Sequence, residues 1–486
     1  STPKGSTQLQ EYREKRDFAT TAEPEGAEAA PAPEGDLRFV VQEHHARRLH
    51  WDFRLERDGV LVSWALPRGV PEDPKRNHLA VHVEDHPLEY GSFEGQIPRG
   101  EYGAGSVSIW DRGTYETQKW NLEGTKPEVM VTLHGERVQG RYVLFQTDGK
   151  NWMIHRMDPP QDPQFEQPPR RVEPMMARPA ERLPRPDRDW GFEFKWDGIR
   201  ALVFSQGGEL RVISRTQEDL SRRYPELHGI TEALGSHSAV LDGEVVALGP
   251  DGVPSFQELQ QRMGLNNPTD VRRMSKKVPV AYLAFDLLYL DGRPLVKVPY
   301  QERRRLLASL GLSGDHWQVP EFHAGDGEAM LEASRRMGLE GLLAKRLDSA
   351  YEEGRRSAAW LKVKHHHRQE FVVGGWTTGE GKRSGALGAL LVGYREEGKL
   401  VYAGKVGTGF DDRTLDRLME MLEPLARRGS PYEVGQPPRG AHFVEPRLVV
   451  EVEFANWTRE GQLRAPSYKG LRQDKDPSEV VRERPE

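Results

Sequence analysis

The sequence predicts three domains in series: a β-barrel, an α+β domain, and a second β-barrel of five strands in Greek-key order. Three observations carry this. The chain has 486 residues, the length of about three ordinary domains. Between Leu37 and about Met157, short apolar–polar alternations are separated by Gly and Pro, the spacing of an antiparallel barrel or sandwich. Residues 190–367 mix strand and helix periods, and residues 370–455 return to strands.

Composition bounds the function. Hydrophobic residues make up 36% and charged residues 30% of the chain, which fits a soluble multidomain protein with ample core. No apolar run is long enough to span a bilayer, and no apolar stretch at the start resembles a signal sequence, so a cytoplasmic location is expected. There is no cysteine. Disulfides, thiolate metal sites and cysteine nucleophiles are excluded, and any metal must be held by His and carboxylate. The formal net charge is -6, so nucleic-acid binding requires clustered basic residues.

Taken in order, residues 1–35 run from charged residues into Ala, Pro, Glu and Gly and read as a flexible arm, with structure starting at Asp36. Strands are expected at Arg38–Gln42, Trp51–Glu56, Val60–Leu66, Leu79–Val83, Ser106–Trp110, Val129–His134 and Gly140–Gln146, giving a domain over 36–157. Residues 158–189 interleave Pro with Arg170, Arg171, Arg178, Arg182, Arg185 and Arg188. This is a semi-rigid linker and lead-in, its arginines either tracking phosphates or merely solvated. Over 190–367, helices are expected at 216–234, 255–263, 299–310 and 326–337, and strands at 200–205, 209–214, 239–248 and 280–290. The last domain, 368–486, has strands at Phe371–Trp376, Ala389–Arg395, Leu400–Val406 and Leu448–Phe454, interrupted by a helix from Arg413 to Leu425.

The chemistry concentrates in two places. In Phe192-Glu193-Phe194-Lys195-Trp196-Asp197-Gly198-Ile199-Arg200, strand alternation sets Glu193, Lys195 and Asp197 on one face. A lysine amine attacks only when neutral. Burial and nearby cations lower its pKa while carboxylates raise it, and the sequence leaves the balance open. Ser214-Arg215, Leu241-Asp242-Gly243-Glu244, Phe285-Asp286, Glu340–Lys345 and Trp360–Lys364 lie downstream. Lys362 and Lys364 share a strand face that suits a polyanion. Carboxylates such as Glu244 and Glu340 suit Mg²⁺. The second concentration is His44-His45-Ala46-Arg47-Arg48-Leu49-His50-Trp51-Asp52-Phe53-Arg54. On a strand, His50, Asp52 and Arg54 line one face, and His44 shares their parity. Two imidazoles and a carboxylate make an open divalent-metal site, with Arg54 placed for a phosphate. A chance cluster of surface histidines is the alternative. Downstream, His82-Val83-Glu84-Asp85-His86-Pro87-Leu88-Glu89-Tyr90 adds polar groups.

The stretches from about 174 onward resemble, in order and spacing, the covalent nucleotidyltransferases, specifically ATP-dependent DNA ligases. That resemblance implies that Lys195 attacks the α-phosphate of ATP, becomes lysyl-AMP, passes AMP to a DNA 5′-phosphate and so lets a 3′-hydroxyl seal the break. It further implies that Glu193 contacts the adenine edge, Phe285 stacks on its face, and Arg200 and Glu244 hold the ribose. Arg215 would contact phosphate, Glu340 would help place Mg²⁺ or Mn²⁺, and Lys362 and Lys364 would bind the α-phosphate. The last barrel then looks like the ligase OB-fold. Its basic segment Arg464–Lys475 is similar to the family's final motif, so Arg472 and Lys475 would orient pyrophosphate after the barrel swings in.

Residues 11–157 resemble the 3′-phosphoesterase module of bacterial DNA ligase D. This implies Mn²⁺-dependent removal of 3′-phosphates and 3′-ribonucleotides, with His44, His50 and Asp52 on the metal and Arg54, His86 and Tyr90 on the scissile phosphate. Arg16, Glu23 and Arg48 match further functional positions. The sequence departs from the pattern at His78, where a basic Arg is expected (Arg76 is near), and at Arg68 in place of Lys. The family reading adds nicked or broken double-stranded DNA as substrate, a Ku homodimer as partner in non-homologous end joining, a monomeric chain and a place at the bacterial nucleoid. It also leaves no length for the polymerase domain that many members carry. An RNA ligase or capping-type nucleotidyltransferase, and a non-catalytic DNA-end scaffold, are the rival readings.

Overall fold

The computed structural model describes residues 8–26, 36–379 and 385–484. Alternating strands close the first domain into a barrel. Eight antiparallel strands pair in the order Leu37–His45, Leu49–Arg57, Val60–Leu66, His78–Pro87, Asn151–Arg156, Gln139–Asp148, Glu128–Gly135 and Gly105–Asn121, and the last pairs back onto the first. Closure removes the sheet edges and buries an interior of Phe53, Trp64, Val131, Leu144 and Trp152. The strand expected at Ser106–Trp110 extends to Asn121, and Asn151–Arg156 is an additional one.

The arm expected over 1–35 is not flexible throughout. Gln10–Glu14 forms a short helix packed on the barrel, with Leu9 and Tyr12 buried. Two apolar side chains suffice to hold a segment this short against a wall. Residues 1–7 and 27–35 lie outside the described residues. The Pro/Arg lead-in is likewise more built than a linker. Met176–Pro179 runs parallel to Arg356–Lys364, and Val172 and Met175 are buried.

The α+β domain has two sheets. One contains Met176–Pro179, Arg356–Lys364, Gly341–Arg346 and Trp190–Phe194; the other contains Glu209–Ser214, Ile199–Gln206, Ala239–Ala247 and Val280–Leu290. The chain crosses from one to the other through Lys195–Gly198. A Cβ on Gly198 would lie 2.2 Å from the Val245 carbonyl oxygen, so the crossing needs glycine. Helices Phe256–Gln260, Tyr300–Ser309 and Gly327–Arg336 match expectation. The helix expected over 216–234 does not form: only Ile230–Leu234 is α-helical, preceded by the turn Pro225–Gly229. Pro225 lacks the N–H a helix interior requires. Leu220, Tyr224, Leu227, Ile230 and Leu234 are nonetheless all buried.

The third domain is a seven-strand sheet rather than the expected five: Lys399–Val406, Leu387–Glu396, His367–Thr378, Val449–Phe454 and Ser467–Leu471 pair in that order, and the short His442–Val444 and Ala426–Arg427 branch from His367–Thr378. A hydrogen bond from Tyr468 N to Thr408 O (2.9 Å) ties its two ends together. This barrel sits over the α+β domain. A Cβ on Gly470 would come within 2.7 Å of the Phe256 ring, so the two surfaces are in close contact.

Two candidate active sites, one in each half of the chain

The wall of the first barrel brings His44, His50 and Asp52 together. Leu49–Arg57 pairs with Leu37–His45 so that His44 lies opposite His50. His44 Nδ1 is 3.3 Å and His50 Nε2 3.7 Å from the Asp52 carboxylate. Candidate ligand atoms of the three lie within 4.8 Å of one another. The other ring nitrogens fix the tautomers. His44 Nε2 donates to Gly103 O (2.6 Å) and His50 Nδ1 to Arg48 O (3.0 Å). The nitrogen of each ring that faces Asp52 is thereby left to offer a lone pair to a cation held between them, the arrangement a metal-bound histidine requires. The residues fit a divalent cation such as Mn²⁺. Burial alone would raise the Asp52 carboxyl, but the charge of Arg54 beside it outweighs burial and holds the group well below its ordinary value.

Arg54 is locked beside this cluster by Gln42 Oε1 (2.7 Å), Ser63 Oγ (2.9 Å) and Asp52 (3.2 Å), and lies over the Tyr90 ring. His86 is buried, and burial with Arg54 and Arg16 keeps its imidazole neutral. The Tyr90 hydroxyl donates to Glu23 Oε1 (3.0 Å), which also receives Arg16 Nε (2.8 Å). Arg16 and Glu23, from the supposed arm, thus complete this wall. The Arg48 side chain is exposed, and its carbonyl is what touches His50. Arg68 and His78 line a different cavity, toward the second domain: Arg68 pairs with Glu209 (2.7 Å) and His78 with Gly69 O (2.8 Å). Their departure from the family pattern falls on a domain contact.

The second site is an open cleft between the two sheets and under the last barrel. Its lining contains Glu193, Lys195, Arg200, Arg215, Glu244, Phe285, Glu340, Lys362, Lys364, Arg472 and Lys475. Every residue that sequence reasoning assigned to it is there. Lys195 Nζ lies 2.6 Å from Glu340 Oε2. Burial would raise Glu340, but Lys195, Lys364 and Arg368 hold it well below the carboxylate range. Burial pushes Glu244 up to about 7. Glu340, Asp197 and Glu451 offer oxygens within 4.8 Å of one another, an all-oxygen set suited to Mg²⁺ or Mn²⁺. Arg368 bridges Asp197 (3.1 Å) and Glu451 (2.8 Å). Arg472 forks onto Asp474 (3.0 and 2.9 Å) and Lys475 meets Glu370 (3.2 Å).

Three matched regions decide the family. Residues 42–146 match the DNA Ligase D 3′-phosphoesterase domain, 174–364 the ATP dependent DNA ligase domain, and 383–475 the ATP dependent DNA ligase C terminal region. The chain belongs to the DNA ligase D family. A relative in Mycobacterium bovis, named multifunctional non-homologous end joining protein LigD, is 48% identical over 98% of this chain and 61% of its own length. The Mycolicibacterium smegmatis protein of that name is 44% identical over 97% of this chain and 61% of its own. A solved structure, described as mycobacterial DNA ligase D complexed with ATP and MES, is 44% identical over 64% of this chain and 98% of its own, with a TM-score of 0.49. The chain thus spans 61% of the curated relatives it matches.

Within this family frame, two supports of the cleft were missed by sequence reasoning. Asp242 forks onto Arg200 (2.6 Å to both Nε and Nη2) and accepts the Tyr351 hydroxyl (2.6 Å). Lys345 is fully buried, paired to Glu193, and set 4.2 and 4.1 Å from the Phe285 and Trp360 ring centres. Its signal was a lysine near the end of an apolar strand. Lys345→Met leaves the Glu193 carboxylate with only Arg304 at 3.4 Å. Removing one partner of such a buried pair costs about 3 kcal/mol. The expected result is a lower melting temperature and a raised KM for ATP, read by thermal unfolding and by adenylylation kinetics.

Proposed function

We propose that this chain heals DNA 3′ ends at its first site and seals them with ATP at its second. The observation that carries this is the cleft: one lysine at the crossing of two sheets, ringed by the cations a triphosphate needs. Lys195 Nζ, as the neutral amine, attacks the α-phosphorus. A P–N bond forms, the α–β P–O bond breaks, and pyrophosphate leaves. A DNA 5′-phosphate oxygen then displaces the lysine and takes AMP. Finally the 3′-hydroxyl oxygen attacks that 5′-phosphate and AMP departs. Lys362 and Lys364 neutralise the α-phosphate, Arg215, Arg472 and Lys475 the rest of the polyanion, and Glu340 orients the amine. Phe285 stacks on adenine, Glu193 reads its edge, and Arg200 and Glu244 hold the ribose. A cation held by Glu340 supplies further neutralisation of phosphate charge.

At the first site His44, His50 and Asp52 would hold Mn²⁺, which would supply Lewis-acid polarisation of the phosphoester. Arg54 contributes a fixed guanidinium for the phosphate, and neutral His86 and Tyr90 flank it. Removing a 3′-phosphate creates the hydroxyl that sealing consumes, so the two activities form a sequence. The setting proposed is non-homologous end joining at the nucleoid, as a monomer acting on DNA ends beside a Ku homodimer.

The test is a nicked duplex carrying both a 3′-phosphate and a 5′-phosphate, supplied with ATP and Mn²⁺. Sealing is expected after a lag that a 3′-hydroxyl nick does not show. Sealing of the 3′-hydroxyl nick alone would overturn the healing activity, and no sealing of either would overturn the ligase reading. Preference for nicked RNA would favour the RNA ligase alternative.

A further inference from the structure

Downstream of the last barrel strand, the segment Asp476–Glu483 folds back across the mouth of the ATP cleft. The Glu483 carboxylate pairs with Lys362 and lies 3.4 Å from Lys364 Nζ. Glu479 Oε2 lies 2.9 Å from Arg215 Nη2. All three cations belong to the cleft that contains Lys195. Carboxylates therefore stand where the proposed function places phosphates.

The backbone of this segment is held in place. Glu483 N donates to Gln369 Oε1 (3.1 Å), and Gln369 Nε2 donates to Val481 O (3.2 Å). Arg395 N donates to Val480 O (2.7 Å), and Val480 is buried. Asp476 caps the turn at Pro477–Glu479 through Ser478 N (2.8 Å). The attachment is nevertheless light. Val481 is 47% exposed, and the Glu479 side chain is 58% exposed. A segment with one anchoring apolar residue and few backbone bonds opens at low free-energy cost. A triphosphate, with several charges on one covalently linked group, can displace monovalent carboxylates from the same lysines.

We propose that Asp476–Glu483 is a self-inhibiting strap: its carboxylates occupy the cations that the triphosphate of ATP must reach, and ATP binds by displacing them. The proposal rests on the reading of Lys362, Lys364 and Arg215 as phosphate contacts. It deepens that reading by making ATP affinity adjustable from outside the cleft, because anything that captures the strap raises it.

The experiment uses the full chain as parent, Glu483→Gln and the Glu479→Gln/Glu483→Gln pair. Transfer of label from α-labelled ATP is measured in single turnover across ATP concentrations, and binding of inorganic tripolyphosphate is measured by calorimetry. Loss of one charge-assisted contact predicts roughly a tenfold fall in half-saturating ATP for Glu483→Gln, more for the pair, an unchanged plateau rate, and tighter tripolyphosphate binding. Unchanged or raised half-saturation with unchanged tripolyphosphate affinity would overturn the strap. Gln369→Ala, which keeps both carboxylates and frees the backbone, is expected to act in the same direction and decides the matter if the Glu variants fail to fold. A parent that accepts no label would overturn the ligase reading instead, and the tripolyphosphate arm would still judge the strap.

Discussion

Replacing Lys195 with alanine is expected to abolish transfer of label from α-labelled ATP to the protein. The loss should be on the order of 10⁴-fold or more, because no other group supplies the bond-forming nitrogen. The geometry makes this specific. Lys195 is the lysine at the sheet crossing, its amine held 2.6 Å from Glu340, whereas the other lysines of the cleft are assigned to neutralising phosphate charge. Lys362 and Lys364 face Glu483, and Lys475 faces Glu370. Phosphate removal from a 3′ end should be unchanged in this variant, since the first barrel's site shares no residue with the cleft. The measurement is label retained on denatured protein, with 3′-phosphate release followed in parallel.

Asp52→Asn is expected to lower 3′-phosphate removal by roughly three orders of magnitude, the several kcal/mol that a metal contributes to charge stabilisation. The carboxylate lies between both imidazoles and Arg54. Its amide analogue is neutral and turns an N–H toward one of them. Sealing of a nick that already carries a 3′-hydroxyl should proceed at the parent rate. Excess Mn²⁺ should restore part of the healing activity if the loss is one of metal affinity, and titrating the metal against rate reads this directly.

Much of the fold was legible because burial on one face imposes a period. The strands Val60–Leu66, Glu209–Ser214 and Val280–Leu290 have the expected bounds, the first and last as apolar runs buried along nearly their whole length. Where the period misled, another constraint won. Leu220, Tyr224, Leu227, Ile230 and Leu234 have helical spacing and are buried, yet Pro225 starts a short 3-10 helix, Pro225–Gly229, in place of a continuous α-helix. The helix Pro268–Lys277 was invisible because it buries a single apolar residue, Val271. The strand Ser467–Leu471 was masked by its basic neighbours, although Tyr468, Gly470 and Leu471 are buried.

The candidate sites were legible for a different reason. Their residues sit on strands, where parity alone tells which side chains share a face, and family motifs supplied the rest. What parity could not give were partners from distant segments. Glu483 is 121 positions from Lys362, and Arg368 joins Asp197 to Glu451 across a domain boundary. Glu23 reaches Tyr90 from a stretch whose composition resembles a linker. Such pairs are fixed by how domains dock, and no local pattern records them.

The central claim is that an AMP-loaded lysine lies on the path to a sealed strand. Protein loaded with labelled AMP, freed of ATP and then given nicked DNA tests it. The account predicts that the label leaves the protein, appears on the DNA 5′ end and is released as AMP, with one strand sealed per label lost. Label that stays on the protein while strands are sealed would contradict it.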